Sequence, residues 1–219
     1  MTEPTPTPTI LRIDSSGRAG KSYSRRLADR MVAGLSGRLP DAAVVTRDLT
    51  VDVPPVVDEA WFDAAYTPED DRDAAARAAL AASDEIVDEF LAASAIVITA
   101  PIYNFSVSAQ LKLWIDQVAR FGRTFTYTET GPKPLGPDRP TYLIVASGGT
   151  KIDSEIDFAT GYLRHVLGFV GLNTIHVIAA DQLMAQADTK IPAAEARIDE
   201  LAAAFSPVGW PPETATAAE

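Results

Sequence analysis

The segment Asp14-Ser15-Ser16-Gly17-Arg18-Ala19-Gly20-Lys21-Ser22-Tyr23-Ser24 gathers hydroxyls, glycines and two cations directly ahead of a helical pattern. Ser16, Ser22 and Ser24 can converge with the free amides of a helix start on one anion, and a phosphate suits that donor set. Gly17 and Gly20 are read as allowing unusual backbone angles in the loop. The tail Gly20-Lys21-Ser22 comes close to the Gly-x-x-x-x-Gly-Lys-Ser/Thr phosphate loop and misses it where Ser15 stands for the first glycine. A nucleoside triphosphatase also needs an Asp after another apolar strand to hold Mg²⁺, and only Asp181 follows one. Lys21 is therefore read as a surface or anion-facing charge. Helix capping and a plain turn remain the alternative for these serines and glycines.

Two further stretches suit a flat ligand. In Ala100-Pro101-Ile102-Tyr103-Asn104-Phe105-Ser106, Pro101 sets a turn, Asn104 tolerates strained backbone and offers an amide, and aromatic faces stand beside edge N–H groups. Ser147-Gly148-Gly149-Thr150 lets a backbone approach a ligand closely from the other side. Taken singly, Tyr103 and Phe105 read equally well as core aromatics and the glycine pair as a turn. Taken together, one hydroxyl-rich loop and two loops shaped for a flat ring favour a planar cofactor bearing a phosphate, and a flavin answers that description.

The elements that must position these loops follow from periodicity. Apolar, β-branched runs at 9–13, 43–46, 95–100, 141–146 and 174–179 predict five strands buried on both faces. Between them lie helical spacings: Leu27, Met31 and Leu35; Leu80, Val87, Phe90 and Leu91; Val107, Leu111, Ile115 and Val118; Leu163, Val166, Leu167 and Val170; Ile198, Leu201 and Phe205. Alternation of this kind predicts an α/β fold: a flavodoxin-like, doubly wound, five-stranded parallel sheet of order 2-1-3-4-5 with helices on both faces. Ligands of such sheets sit beyond the carboxyl ends of the strands at the topological switch, here the loops after strands one and three. The Pro- and Asp-rich stretch 49–73 reads as an irregular excursion. The domain is placed at 9–205, with a Thr/Pro-rich tail at 1–8 and a second tail at 206–219, both expected to be flexible.

Composition narrows the chemistry further. The 219 residues contain no cysteine, which excludes disulfides, thiolate metal sites and Cys nucleophiles. The net charge of −11 argues against a nucleic-acid partner, although a local basic loop could bind one anion. No apolar run approaches a membrane span and no secretory leader is recognisable, so a cytoplasmic protein without a membrane partner is expected. His165 falls on a helix and His176 in a strand, away from strand ends, which disfavours a hydrolase triad. The acidic run Glu69-Asp70-Asp71 reads as a solvated face, and no metal site is expected.

These residues resemble the FMN-dependent NADH:quinone oxidoreductases, or azoreductases, of the flavodoxin-like fold. The resemblance covers most of the domain: Ser15-Ser16 and Ser22-Tyr23-Ser24, Arg47-Asp48-Leu49, Ala82 to Glu85, Leu167 to Gly171 and, most specifically, Pro101 through Lys112, Asp116 through Arg120, Thr124-Phe125 and Tyr127 to Glu129. It implies that Ser16, Ser22, Tyr23 and Ser24 surround the phosphate of one FMN per subunit. Ile102, Tyr103, Asn104 and Phe105 would line an edge of the ring, and Ser147, Gly148, Gly149 and Thr150 would meet it. It also implies a homodimer with FMN at the interface, where Phe121, Phe125, Tyr127 and Phe169 shape the pocket or partner surface; core packing is an equal alternative for each of these aromatics. The reaction implied is ping-pong: NADH or NADPH reduces the flavin, which carries the hydride without a catalytic side chain, and a quinone or aromatic azo compound takes two electrons. Two departures stand out: the fourth-strand loop commonly reads Ser-Arg-Gly-Gly in that family, and Met often replaces Ile102. A non-catalytic electron carrier, an NAD(P)H:flavin reductase and a cofactor-free binding module on the same fold are the alternatives.

Overall fold

The computed structural model describes residues 7–206. Five parallel strands, β1 (Thr9–Asp14), β2 (Ala43–Asp48), β3 (Ala95–Pro101), β6 (Thr141–Ala146) and β7 (Ile175–Ala180), form one sheet in the order β2-β1-β3-β6-β7. This is the 2-1-3-4-5 order read from the alternation of elements. The intervening helices are α1 (Tyr23–Ser36), α2 (Glu59–Tyr66), α3 (Ala74–Ala92), α4 (Ala109–Val118), α5 (Thr160–Phe169) and α6 (Leu183–Ala204).

Side-chain alternation along the central strands feeds two cores. Ile10, Val97, Tyr142 and Ile144 pack against Leu27, Met31 and Leu35 of α1 and Ile198 and Leu201 of α6. Leu11, Ile13, Ile96, Ile98, Leu143 and Val145 pack on the other face against Phe90 of α3, Leu111 and Trp114 of α4, and Leu163 and Leu167 of α5. Both faces of β1, β3 and β6 are thereby covered, which is why these strands are near-continuous apolar runs. β2 and β7 differ from the expectation of burial on both faces: Ala43 and Val44 are exposed, and three residues of β7 are half-buried. They are the sheet's two edges, with one neighbouring strand each.

Two features correct the sequence reading. The stretch 49–73 is not wholly irregular. It contains α2, capped by Asp58 accepting from the Trp61 amide at 2.9 Å, and a single 3-10 turn at Glu69–Asp71. Trp61, Ala64 and Ala65 pack against Leu80 of α3, and Trp61 Nε1 donates to Gln117 of α4 at 2.9 Å. Two turns of helix are too short to display a period, and their stability comes from this packing. The other addition is an antiparallel hairpin of β4 (Phe125–Thr128) and β5 (Gly131–Pro134) between α4 and β6. Both predicted tails lie largely outside the described residues.

Candidate functional site

The carboxyl ends of β1, β3, β6 and β7 open onto one cleft of about 620 Å³, counting space open to solvent. Its lining divides by chemistry. Ser16, Ser22 and Ser24 are buried hydroxyls, Arg18 and Lys21 are exposed cations, and Ile102, Ala146, Leu183 and Met184 supply an apolar wall.

The hydroxyl wall is built by α1. Ser22 is the N-cap: its Oγ accepts from the Arg25 amide at 3.3 Å and lies 3.1 Å from Ser24 Oγ. The first turn of a helix has amides without intrahelical acceptors, so hydroxyls and N–H donors gather at one point where the helix dipole is positive. Across the cleft Ser16 Oγ stands 3.3 Å from the Tyr103 hydroxyl, joining the first loop to the third. Ser15 has a different task. Its amide donates to Thr99 Oγ1 at 2.9 Å and its Oγ to the Thr99 carbonyl at 2.5 Å, which ties β1 to β3 where a phosphate loop would need glycine. Asp181, the carboxylate that a phosphate-loop enzyme would aim at Mg²⁺, instead pairs with Lys190 at 2.6 Å and accepts from the Ile152 amide. The nucleoside triphosphatase reading therefore has neither of its parts.

Gly17 and Gly20 do not use the conformational freedom expected of them: neither has a positive φ, and the loop closes as a tight turn in which the Lys21 amide donates to the Arg18 carbonyl at 2.8 Å. Strain lies elsewhere. Asn104 and Phe105 have φ of 48° and 74°, and Tyr103 and Ser106 exchange both backbone hydrogen bonds. This is the two-residue turn with positive φ at both central positions, usually served by Asn-Gly. Holding Phe at the second position keeps a half-exposed aromatic ring at the tip of the loop.

The fourth and fifth strand ends are joined through Ser147. Its Oγ donates to the Thr150 carbonyl and accepts from the Gln182 amide, and its carbonyl accepts from the Leu183 amide at 3.0 Å. Gly148 accepts from the Met184 amide at 3.0 Å, so Leu183 and Met184 are folded onto the cleft. A Cβ at Gly148 would stand 3.2 Å from Met184 Sδ.

A family model for the flavodoxin-like fold matches residues 8–203. The FMN-dependent NADH:quinone oxidoreductase 1 of Jannaschia sp. (strain CCS1) is 49% identical over 194 residues, covering 89% of this chain and 98% of that protein. This chain belongs to the FMN-dependent NADH:quinone oxidoreductase family. The relative of that name from Thiobacillus denitrificans is 50% identical over 180 residues, covering 82% of this chain and 87% of that protein. Among solved structures, an azoreductase from Bacillus anthracis superposes with a TM-score of 0.82 at 25% identity, covering 90% of this chain and all of that one.

Against this membership, the cleft brings together eight of the residues singled out in the sequence: Ser16, Ser22, Tyr23, Ser24, Ile102, Tyr103, Ser147 and Gly148. Asn104 and Phe105 form the turn beside it, and Gly149 and Thr150 follow its last lining residue on the β6 loop; these four do not line it. Arg18, Lys21, Pro101, Ala146, Leu183 and Met184 also line the cleft and are not among the site residues expected from the sequence. The strand-end rule that located the other loops also covers the end of β7, and applying it there would have found Leu183 and Met184. The residues present fit an FMN-sized ligand with a phosphate at one end: buried hydroxyls at a helix N-terminus, then an apolar wall.

Proposed function

We propose that this protein is an FMN-dependent oxidoreductase that reduces quinones by two electrons, and aromatic azo compounds as well, with NADH or NADPH as donor. The observation that carries the reading is the union, in one cleft at the sheet's switch point, of the buried Ser22 and Ser24 hydroxyls at a helix start and the buried Ser16 hydroxyl of the first loop with an apolar wall. The names carried by relatives at 49% and 50% identity support it.

Ser16, Ser22, Tyr23 and Ser24 hold the FMN phosphate with hydroxyl and amide donors. Ile102, Tyr103, Asn104 and Phe105 border one edge of the ring, and Ser147, Gly148, Gly149 and Thr150 approach the other. The chemistry supplied by bound FMN is acceptance of a hydride from nicotinamide and delivery of two electrons to a flat, electron-poor acceptor, in ping-pong order. The chain's own contribution is orientation and exclusion of water; no side chain acts as nucleophile and no metal takes part.

The unit that does this spans residues 9–205, works as a cytoplasmic homodimer and uses neither nucleic acid nor membrane as partner. Among the described residues no helix is long and apolar enough to cross a membrane. Support for the dimer comes from an aromatic cluster on the surface. Phe121 is stacked between Tyr66, at 5.3 Å, and Tyr127, at 6.1 Å, and both tyrosines are more than half exposed. An apolar face of this kind marks an interaction surface.

The deciding experiment is an anaerobic absorbance titration of the protein reconstituted with FMN and desalted. Bleaching by NADH and recovery on adding a benzoquinone are the expected results. Flavin that binds but resists NADH would move the protein to the electron carriers, and failure to bind FMN would remove the site assignment altogether.

A further inference from the structure

The charge around the cleft is opposite to that of the protein. The chain has 30 acidic and 19 basic residues, yet among the described residues no carboxylate lines the cleft, while Arg18 and Lys21 do. Most arginines are engaged elsewhere: Arg12, Arg25, Arg30, Arg47, Arg120, Arg123, Arg164 and Arg197 are each in an ion pair. Arg18 and Lys21 are in none among the described residues, and both are exposed. A third cation, Arg26, stands over the Tyr23 ring at 5.5 Å from its centroid. The buried serines thus form the floor and unpaired cations form the rim.

Floor and rim suit different tasks. Buried hydroxyls and helix amides fix the oxygens of one phosphate at hydrogen-bond distance. Exposed cations held by no ion pair create a field that attracts anions toward a cleft. On the functional reading above, three molecules use this cleft, and they differ in charge. The cofactor's phosphate is met by the floor and a quinone acceptor is neutral. The nicotinamide dinucleotide carries a diphosphate that must approach a protein of net charge −11.

We propose that Arg18 and Lys21 are a recognition rim for the diphosphate of the electron donor, and that they accelerate the donor half of the reaction while leaving the acceptor half untouched. This inference rests on the proposed function for the identity of the donor. It predicts an asymmetry that a general stabilising role would not produce.

The test uses the FMN-reconstituted protein and its Arg18→Gln/Lys21→Gln variant. FMN retained per subunit, NAD⁺ affinity by calorimetry at low and high salt, and kcat/KM for NADH and for a neutral benzoquinone are measured. In the variant, NAD⁺ affinity and kcat/KM for NADH should fall about fivefold at low salt and lose most of their salt dependence. FMN content and kcat/KM for the quinone should not change. Equal losses toward NADH and quinone, or an undiminished salt dependence, would overturn the proposal. Loss of FMN from the variant would also overturn it, because the cations would then serve the cofactor's phosphate. A wild type that holds no FMN would instead defeat the functional reading, and NAD⁺ calorimetry on the chain itself would still judge the rim.

Discussion

Arg25 grips Asp48 and the backbone of Ser16 with a single guanidinium: the carboxylate oxygens lie 2.5 and 2.7 Å from its Nη atoms, and the Ser16 carbonyl accepts from Nε and Nη2 at 3.2 and 2.9 Å. An arginine in the first turn of α1 invites assignment as a phosphate ligand. The structure instead uses it to hold the loop that presents Ser16, by bracing it against the end of β2. Thr50 completes the brace, donating from its amide and hydroxyl to Asp48. A lysine cannot reproduce the fork. Arg25→Lys should weaken FMN binding about tenfold while leaving riboflavin binding unchanged, since only the phosphate end is disturbed. Fluorescence titration with both flavins reads this directly; equal losses for the two would show that the brace acts on the whole fold.

The same brace has a pH signature. The hydrogen bond from Arg25, outweighing the opposing effect of burial, holds the Asp48 carboxyl below its ordinary 3.8. A carboxylate depressed in the folded state contributes stability above its unfolded pKa and loses it as pH falls through the folded value. The stability difference between wild type and Asp48→Asn should therefore be constant from pH 7 to about pH 5 and shrink below about pH 4. Urea denaturation across that range would show it.

Ser22 and Ser24 should separate in their effects although they are neighbours in the cleft. Ser22→Ala removes the N-cap of α1 and should cost about 1 kcal/mol of apo-protein stability. Each of Ser22→Ala and Ser24→Ala should also lower FMN affinity by about 1.5 to 3 kcal/mol, the usual worth of a hydrogen bond to a charged acceptor. Denaturation of the apo-protein and FMN titration together distinguish the two residues. Equal affinity of the wild type for FMN and riboflavin would falsify the phosphate cradle.

Phe105, with its φ of 74°, sits where a glycine is at ease. Phe105→Gly should raise apo-protein stability by about 0.5 to 1 kcal/mol and slow turnover with quinone through loss of the ring beside the cleft. Thermal melting and steady-state rates test the trade; an unstabilised variant would show that the packing of the ring outweighs the backbone strain.

Gly34 provides a control distant from the site. A Cβ there would lie 2.6 Å from the Cβ of Ala202, between α1 and α6, where no flexible side chain can give way. Gly34→Ala should cost about 1 to 3 kcal/mol by overpacking and leave FMN affinity unchanged. Denaturant unfolding and flavin titration of this variant check both parts.

The order of the five sheet strands and of five of the helices, the two-faced burial of β1, β3 and β6 and the location of the first and third loops can all be read from the sequence. They follow from local periodicity: a residue's neighbours two or four positions away already say which face it takes. The donor set of Ser16, Ser22 and Ser24 was legible for the same reason, since a helix start exposes amides wherever it occurs. Tertiary structure decided what depends on distant partners. Arg25 is turned to Asp48 across 23 residues, Ser15 is tied to Thr99 across 84, and Ser147 and Gly148 draw Leu183 and Met184 onto the cleft from the end of β7. α2 exists because Trp61 meets Gln117 and Leu80, and β2 and β7 are exposed because the sheet ends there. No spacing within a segment encodes those meetings; they arise when the crossovers bring four strand ends to one edge.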